Sequence, residues 1–117
     1  MPHRPFVIRV EGPDARSAAS DISDWIAREF GLRSIPAPVV GEDGADAYVV
    51  ALRGGLLSTD DLTARANLKD RLDRLIDLAR AHRAGEPAAR IVLNAPDGES
   101  LPLDRTSAEA ILRVVPQ

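Results

Sequence analysis

The sequence lacks cysteine altogether and has few aromatic side chains. Without a thiol, the chain can form no disulfide, no thiolate nucleophile and no thiolate ligand set for zinc or an iron–sulfur cluster. Aromatic residues make up 3% of the chain, so an extended platform for stacking nucleic-acid bases is not expected. The core must therefore be built from leucine, isoleucine, valine and alanine.

The sequence also lacks an excess of positive charge and any long apolar run. Its 15 basic and 18 acidic residues give a net charge of -3, which argues against binding a phosphate backbone. The longest apolar run, Ala47 to Leu52, falls far short of the roughly 18 to 20 residues of a membrane span. The first residues lack the apolar stretch of a signal peptide. We therefore expect a cytoplasmic protein with neither a nucleic-acid nor a membrane partner.

What the sequence does contain is typical of one globular domain. The chain has 117 residues, of which 44% are hydrophobic and 28% charged, and this size leaves no room for a second core. We predict a single domain over residues 1–117.

The N-terminal half predicts a strand, a helix and an edge segment. Phe6, Ile8 and Val10 alternate with Val7, Arg9 and Glu11, which indicates a strand with Phe6, Ile8 and Val10 facing inward. An apolar stripe at helical spacing that includes Trp25 then predicts a helix from an Asp14 N-cap to Gly31. The prolines between Ile35 and Val40 allow only an extended or edge segment.

The C-terminal half predicts a central strand, a long helix and a hairpin. The β-branched run Ala47–Leu52 indicates a strand in the middle of the sheet. A helix capped by Ser58 or Thr59 and ending at Gly85 should follow, with Asp70 and Arg74 paired on its solvated side.

A hairpin and a short helix complete the predicted order of elements. Arg90–Asn94 and Ser100–Leu103 flank a proline–glycine turn, and Thr106 with Glu109 forms a capping box for the last helix. The expected fold is an α/β domain of the two-layer α+β type. It has a mixed sheet of four to five strands, two long helices and a short C-terminal helix.

Motifs that would carry chemistry are missing. His3 and His82 are far apart in sequence and neither has a second ligand at metal-binding spacing. No serine stands in a G-x-S-x-G turn, and Gly54-Gly55 lacks the remaining residues of a phosphate-binding loop. We therefore assign no catalytic, cofactor-binding or metal-binding residue and expect a protein that is not an enzyme. A hydrolase that uses carboxylates alone stays open as a third reading.

One segment is a candidate partner contact. Leu56 and Leu57 follow Gly54 and Gly55 at the break between strand and helix, outside either apolar stripe. Two adjacent large side chains at such a break suit an exposed contact with another protein or with a second copy of the chain. The competing interpretation is a hydrophobic staple packed on Leu62.

Several short motifs resemble the effector-associated constant component family of bacterial proteins. They are the helix segment Asp21–Arg28, the segment Val49–Gly55, and the turn Ala95–Gly98 leading to Ala108–Leu112. The sequence departs from that pattern in its proline-rich Ile35–Val40 stretch and in its charged long helix. The resemblance implies a small non-enzymatic component of a bacterial conflict or defence system that joins a recognition module to an effector such as a protease. It supplies no catalytic residues.

Two functions from different classes are therefore expected. The first is a protein-interaction adaptor of a defence system, with a protein partner and no cofactor. The alternative is a ferredoxin-like regulatory domain that senses a small molecule. An antiparallel four-stranded sheet with both long helices on one face would favour the alternative, and a mixed sheet flanked on both faces would count against it.

Overall fold

The computed structural model describes residues 5–41, 46–52 and 62–115. These residues form five strands and three helices. In chain order they are β1 (Phe6–Glu11), α1 (Ala15–Phe30), β2 (Ala37–Val40), β3 (Asp46–Leu52), α2 (Leu62–Gly85), β4 (Arg90–Asn94), β5 (Ser100–Pro102) and α3 (Ala108–Val114).

The strands form one sheet in the order β2-β3-β1-β4-β5. Each neighbouring pair is antiparallel, so the α+β class is confirmed while the expected mixed pairing is corrected. The reason lies in the crossovers. Helix α1 joins β1 to β2 across β3, and α2 joins β3 to β4 across β1, so each parallel pair is separated by an antiparallel strand. This split β-α-β order is that of ferredoxin-like folds, with β5 added beyond β4.

All three helices cover the same face of the sheet. The core cluster joins buried residues of α1, α2 and α3 to strand residues of one face only, among them Phe6, Ile8, Val10, Val50 and Leu93. The inward direction predicted for β1 is thereby confirmed. Two layers result: a sheet and a layer of helices.

The middle of the sheet is β1 rather than β3. Strand β3 pairs with the short β2 on its outer side, so it is the second strand. Its apolar run packs into the core on one face, where Val50 and Leu52 are buried, whereas Ala51 on the opposite face is exposed. A continuous apolar run thus does not mean burial on both faces here.

Helix boundaries agree with the prediction better than helix caps do. Helix α1 ends at Gly31, which has a φ of 68° and donates its N–H to the Ala27 carbonyl. Asp14 stands at the N-cap of α1 but its side chain makes no capping hydrogen bond. The N-cap of α3 is Ser107 instead of the predicted Thr106, and the Ser107 hydroxyl accepts a hydrogen bond from the Ala110 N–H at 3.2 Å.

Helices α1 and α2 are joined by a tryptophan and an ion pair. Trp25 is fully buried, and its indole N–H donates to the Arg71 carbonyl at 3.1 Å. Arg74 binds both carboxylate oxygens of Glu29 at 2.6 and 2.7 Å, in place of the predicted pairing with Asp70. The hydrogen bonds from Arg74 lower the pKa of Glu29 below its ordinary value.

Candidate functional site

The predicted contact residues Gly54, Gly55, Leu56 and Leu57 lie outside the described residues. The predicted helix caps Ser58 and Thr59 lie outside them too. Within the described residues, the candidate site lies on a different surface, the face of the sheet opposite the helices.

We call this surface the open face. The strand register places alternate residues on it, because successive side chains of a strand point to opposite faces. In β1 these residues are Val7, Arg9 and Glu11, and Arg9 stands directly between Val49 of β3 and Val92 of β4. The valines are half-buried and do not belong to the core cluster. The open face is therefore an apolar surface with charged residues at its centre.

Arg9 is held flat across the open face. Its Nε donates to Glu11 Oε1 at 2.6 Å, and its Nη2 donates to the Val40 carbonyl at 3.1 Å, two strands away. The register places Ala47 beside Glu11 and beside Val39, so the guanidinium reaches over Ala47, which is only 2% exposed. Two charge-assisted hydrogen bonds thus fix the position of the Arg9 guanidinium.

A groove runs from the open face around the β4–β5 end of the sheet toward α2. Two adjoining depressions of about 310 and 160 Å³ form it, and they share the lining residues Arg90, Val92 and Pro102. We call it the arginine groove. Its charged lining residues are Arg9, Arg83, Arg90, Arg105, Glu11 and Asp104.

Each carboxylate of the arginine groove is shared by two arginines. Glu11 lies 2.6 Å from Arg9 Nε and 4.0 Å from Arg90 Nη1. Asp104 lies 4.0 Å from Arg83 Nε and 3.8 Å from Arg105 Nε. Among the described lining residues, four guanidinium groups thus stand beside two carboxylates, on a chain whose net charge is -3.

The two edges of the sheet contain proline. Pro38 lies in β2 and Pro102 in β5, and these are the outermost strands. Because proline has no N–H to donate, a proline in an edge strand hinders the addition of another strand. Hydrophobic side chains are nevertheless exposed near the β2 edge: Ile35 is 81% and Val40 84% exposed.

A second charged cluster joins α1 to the end of α2. His82 lies between two carboxylates, with Nε2 at 2.6 Å from Asp21 Oδ2 and Nδ1 at 3.3 Å from Asp14 Oδ2. Sequence reasoning considered His82 as a metal ligand and missed both carboxylate partners. With a carboxylate on each ring nitrogen, the imidazole is placed to tie two helices together rather than to serve a serine as base.

Within residues 5–41, 46–52 and 62–115, no group of three or more histidine, aspartate or glutamate residues could hold a metal ion. No helix found in the same ranges is long and apolar enough to cross a membrane.

Comparison with known proteins found no relative of this chain. No family model, curated protein or solved structure matches the chain.

Proposed function

We propose that the protein is a non-enzymatic binding module that recognises a protein partner through the open face of its sheet. The observation that carries this proposal is the helix-free face itself, on which Val7, Val49 and Val92 lie outside the core cluster. Apolar surface of this kind is costly to leave in water and is commonly covered by a partner.

The edges of the sheet support a partner on the face rather than at the edge. Pro38 and Pro102 each remove a backbone donor from an edge strand, which disfavours recognition by strand addition. The resemblance to effector-associated constant components indicates what class of protein the partner belongs to. We propose that the module joins the recognition and effector proteins of a bacterial defence system.

The test places the same new charge on two faces of the domain. Val49→Lys puts a lysine at the centre of the open face, and Ala81→Lys puts one on the exposed side of α2. Both variants should keep the melting temperature of the wild type within a few degrees, because neither position belongs to the core cluster. Each would be expressed in the native host with its neighbouring genes and isolated through an affinity tag.

We expect Val49→Lys to lose at least about nine-tenths of the co-purifying partner and Ala81→Lys to keep it, since a charge at the centre of an interface costs more than one outside it. Equal recovery of the partner with both variants would refute the open face as the interface.

One observation favours the second candidate, a ferredoxin-like domain that senses a small molecule. The sheet is antiparallel and has both long helices on one face, as this alternative predicts, but it has five strands instead of four. A fold alone does not assign a function. Native mass spectrometry of the chain purified from its host tests it directly. A bound small molecule of constant mass would support ligand sensing, and the mass of the bare chain alone would oppose it.

A further inference from the structure

We propose that the arginine groove binds an extended acidic peptide segment of the partner through that segment's carboxylates. This inference deepens the proposed function and rests on it, because it names the chemistry of a protein partner at one end of the open face.

Two guanidinium groups of the arginine groove are already in position to bind a carboxylate. Arg9 is fixed by Glu11 and the Val40 carbonyl, and Arg83 donates through Nη1 to the Ala89 carbonyl at 2.8 Å. An arginine has five N–H donors, so these contacts position each guanidinium and leave other donors for a ligand. Positioning before binding lowers the entropy cost of recognising a carboxylate.

The arginine groove extends to a more exposed arginine. The Arg105 side chain is 73% exposed, and its Nε lies 3.8 Å from Asp104 Oδ2, too far for a hydrogen bond. Arg90 is 59% exposed and stands between the two depressions. A carboxylate that enters the groove can therefore reach guanidinium groups at each end of it.

The lining of the arginine groove favours one kind of anion. Glu11 and Asp104 alternate with the arginines, so a continuous polyphosphate would bring like charges together, whereas spaced carboxylates would not. Val92 and Pro102 give the groove an apolar floor that suits the aliphatic part of a glutamate side chain. The groove's lining residues include no aromatic side chain on which a base could stack. An acidic peptide is thus favoured over a nucleic acid.

The test uses a fluorescein-labelled glutamate heptapeptide, with a glutamine heptapeptide and a thymidine heptanucleotide as comparison probes. Binding to the full chain is measured by fluorescence anisotropy at low and moderate salt. The double variant Arg90→Gln, Arg105→Gln removes two charges from the groove. It leaves Arg9 on Glu11 and Arg83 near Asp104, so the fold should be kept, as circular dichroism would verify. The matched control is Arg28→Gln, Arg113→Gln, which removes two exposed arginines from the helices.

We expect the glutamate peptide to bind the wild type and the control variant alike, and the groove variant at least about tenfold more weakly. Binding should weaken as salt rises, because the groove is partly exposed and its charges are screened. The glutamine peptide should not bind.

Four results would overturn the inference: no binding of the glutamate peptide to the wild type, equal loss in both double variants, tighter binding of the thymidine oligomer, or wild-type self-association that the groove variant abolishes in sedimentation. The last would make a second copy of the chain the occupant.

Failure of this inference and failure of the proposed function are distinguishable. If Val49→Lys loses the native partner but the groove variant binds the peptide normally, the open face is an interface and the groove is not an acidic-peptide site. If the groove variant loses the peptide while Val49→Lys keeps the partner, the groove binds acidic peptides and the open face is not the interface.

Discussion

Removing the Trp25 side chain should destabilise the domain more than most other single truncations. Trp25 is fully buried on α1, its indole N–H donates to the Arg71 carbonyl of α2, and its ring makes a T-shaped contact with the Phe30 ring at a centroid distance of 5.4 Å. A buried aromatic side chain removes about 150 to 250 Å² from water. At about 25 cal/mol per Å² this is about 4 to 6 kcal/mol, part of which alanine retains. Trp25→Ala should therefore cost about 3 to 5 kcal/mol.

Trp25→Phe separates packing from the hydrogen bond. Phenylalanine keeps an aromatic ring on the buried stripe but loses the indole N–H. The Arg71 carbonyl remains within α2, where a helical N–H can still bond to it. The expected cost is about 1 to 2 kcal/mol, the net value of a hydrogen bond plus a partial loss of packing.

Urea titration followed by far-ultraviolet circular dichroism measures both variants, because the mutations remove the only tryptophan and with it the fluorescence signal. The dependence on urea should keep its slope while the midpoint falls. Asp24→Ala, at an exposed neighbouring position on α1, is the control and should change the free energy of unfolding by less than about 0.5 kcal/mol. If Trp25→Ala has the midpoint of Asp24→Ala, the packing described for α1 and α2 is wrong.

Three further predictions concern a turn, an ion pair and metals. Gly12 has a φ of 124°, and a Cβ there would lie 3.0 Å from the Ala88 carbonyl oxygen, so Gly12→Ala should destabilise the fold by about 1 to 3 kcal/mol. The control Gly85→Ala should not destabilise it, because the space around Gly85 is open. Equal melting temperatures of the two variants would contradict this prediction. Arg74 lowers the pKa of Glu29 from 4.5, so the ion pair stabilises the fold above pH 4.5 and loses this effect as the pH falls through the pKa of folded Glu29. Glu29→Gln should thus have a lower urea midpoint than the wild type at pH 7, and the two midpoints should converge in acid. A difference in midpoint that grows in acid would contradict this prediction. A chelator should leave the melting temperature unchanged, and a clear drop would reveal a metal site.

Much of the secondary structure could be predicted from the sequence because local patterns control it. The alternation at Phe6, Ile8 and Val10 indicates the inner face of β1, and the apolar stripe through Trp25 indicates the buried face of α1. Gly31 and Gly98 stand where the backbone needs a positive φ, a conformation that glycine adopts without strain. These signals depend on neighbours within a turn or a strand.

The partners of charged residues could not be predicted, because they lie far apart in the chain. Arg74 pairs with Glu29 across 45 positions, and His82 lies between carboxylates that are 61 and 68 positions away. A spacing of four residues on one helix suggested a nearer partner for Arg74, but the packing of α2 on α1 offers a bidentate carboxylate. Tertiary contact therefore overrides the weak local ion pair.

The sequence by itself determined that the chain has strands and helices and no thiol chemistry, since composition and periodicity are local properties. Only the tertiary structure decided that β1 is central, that every neighbouring strand pair is antiparallel and that the helices share one face. It alone brought Arg9, Arg83, Arg90 and Arg105 into one groove. The physical reason is that strand order depends on which crossovers bury the most apolar surface together, and no local pattern records that choice.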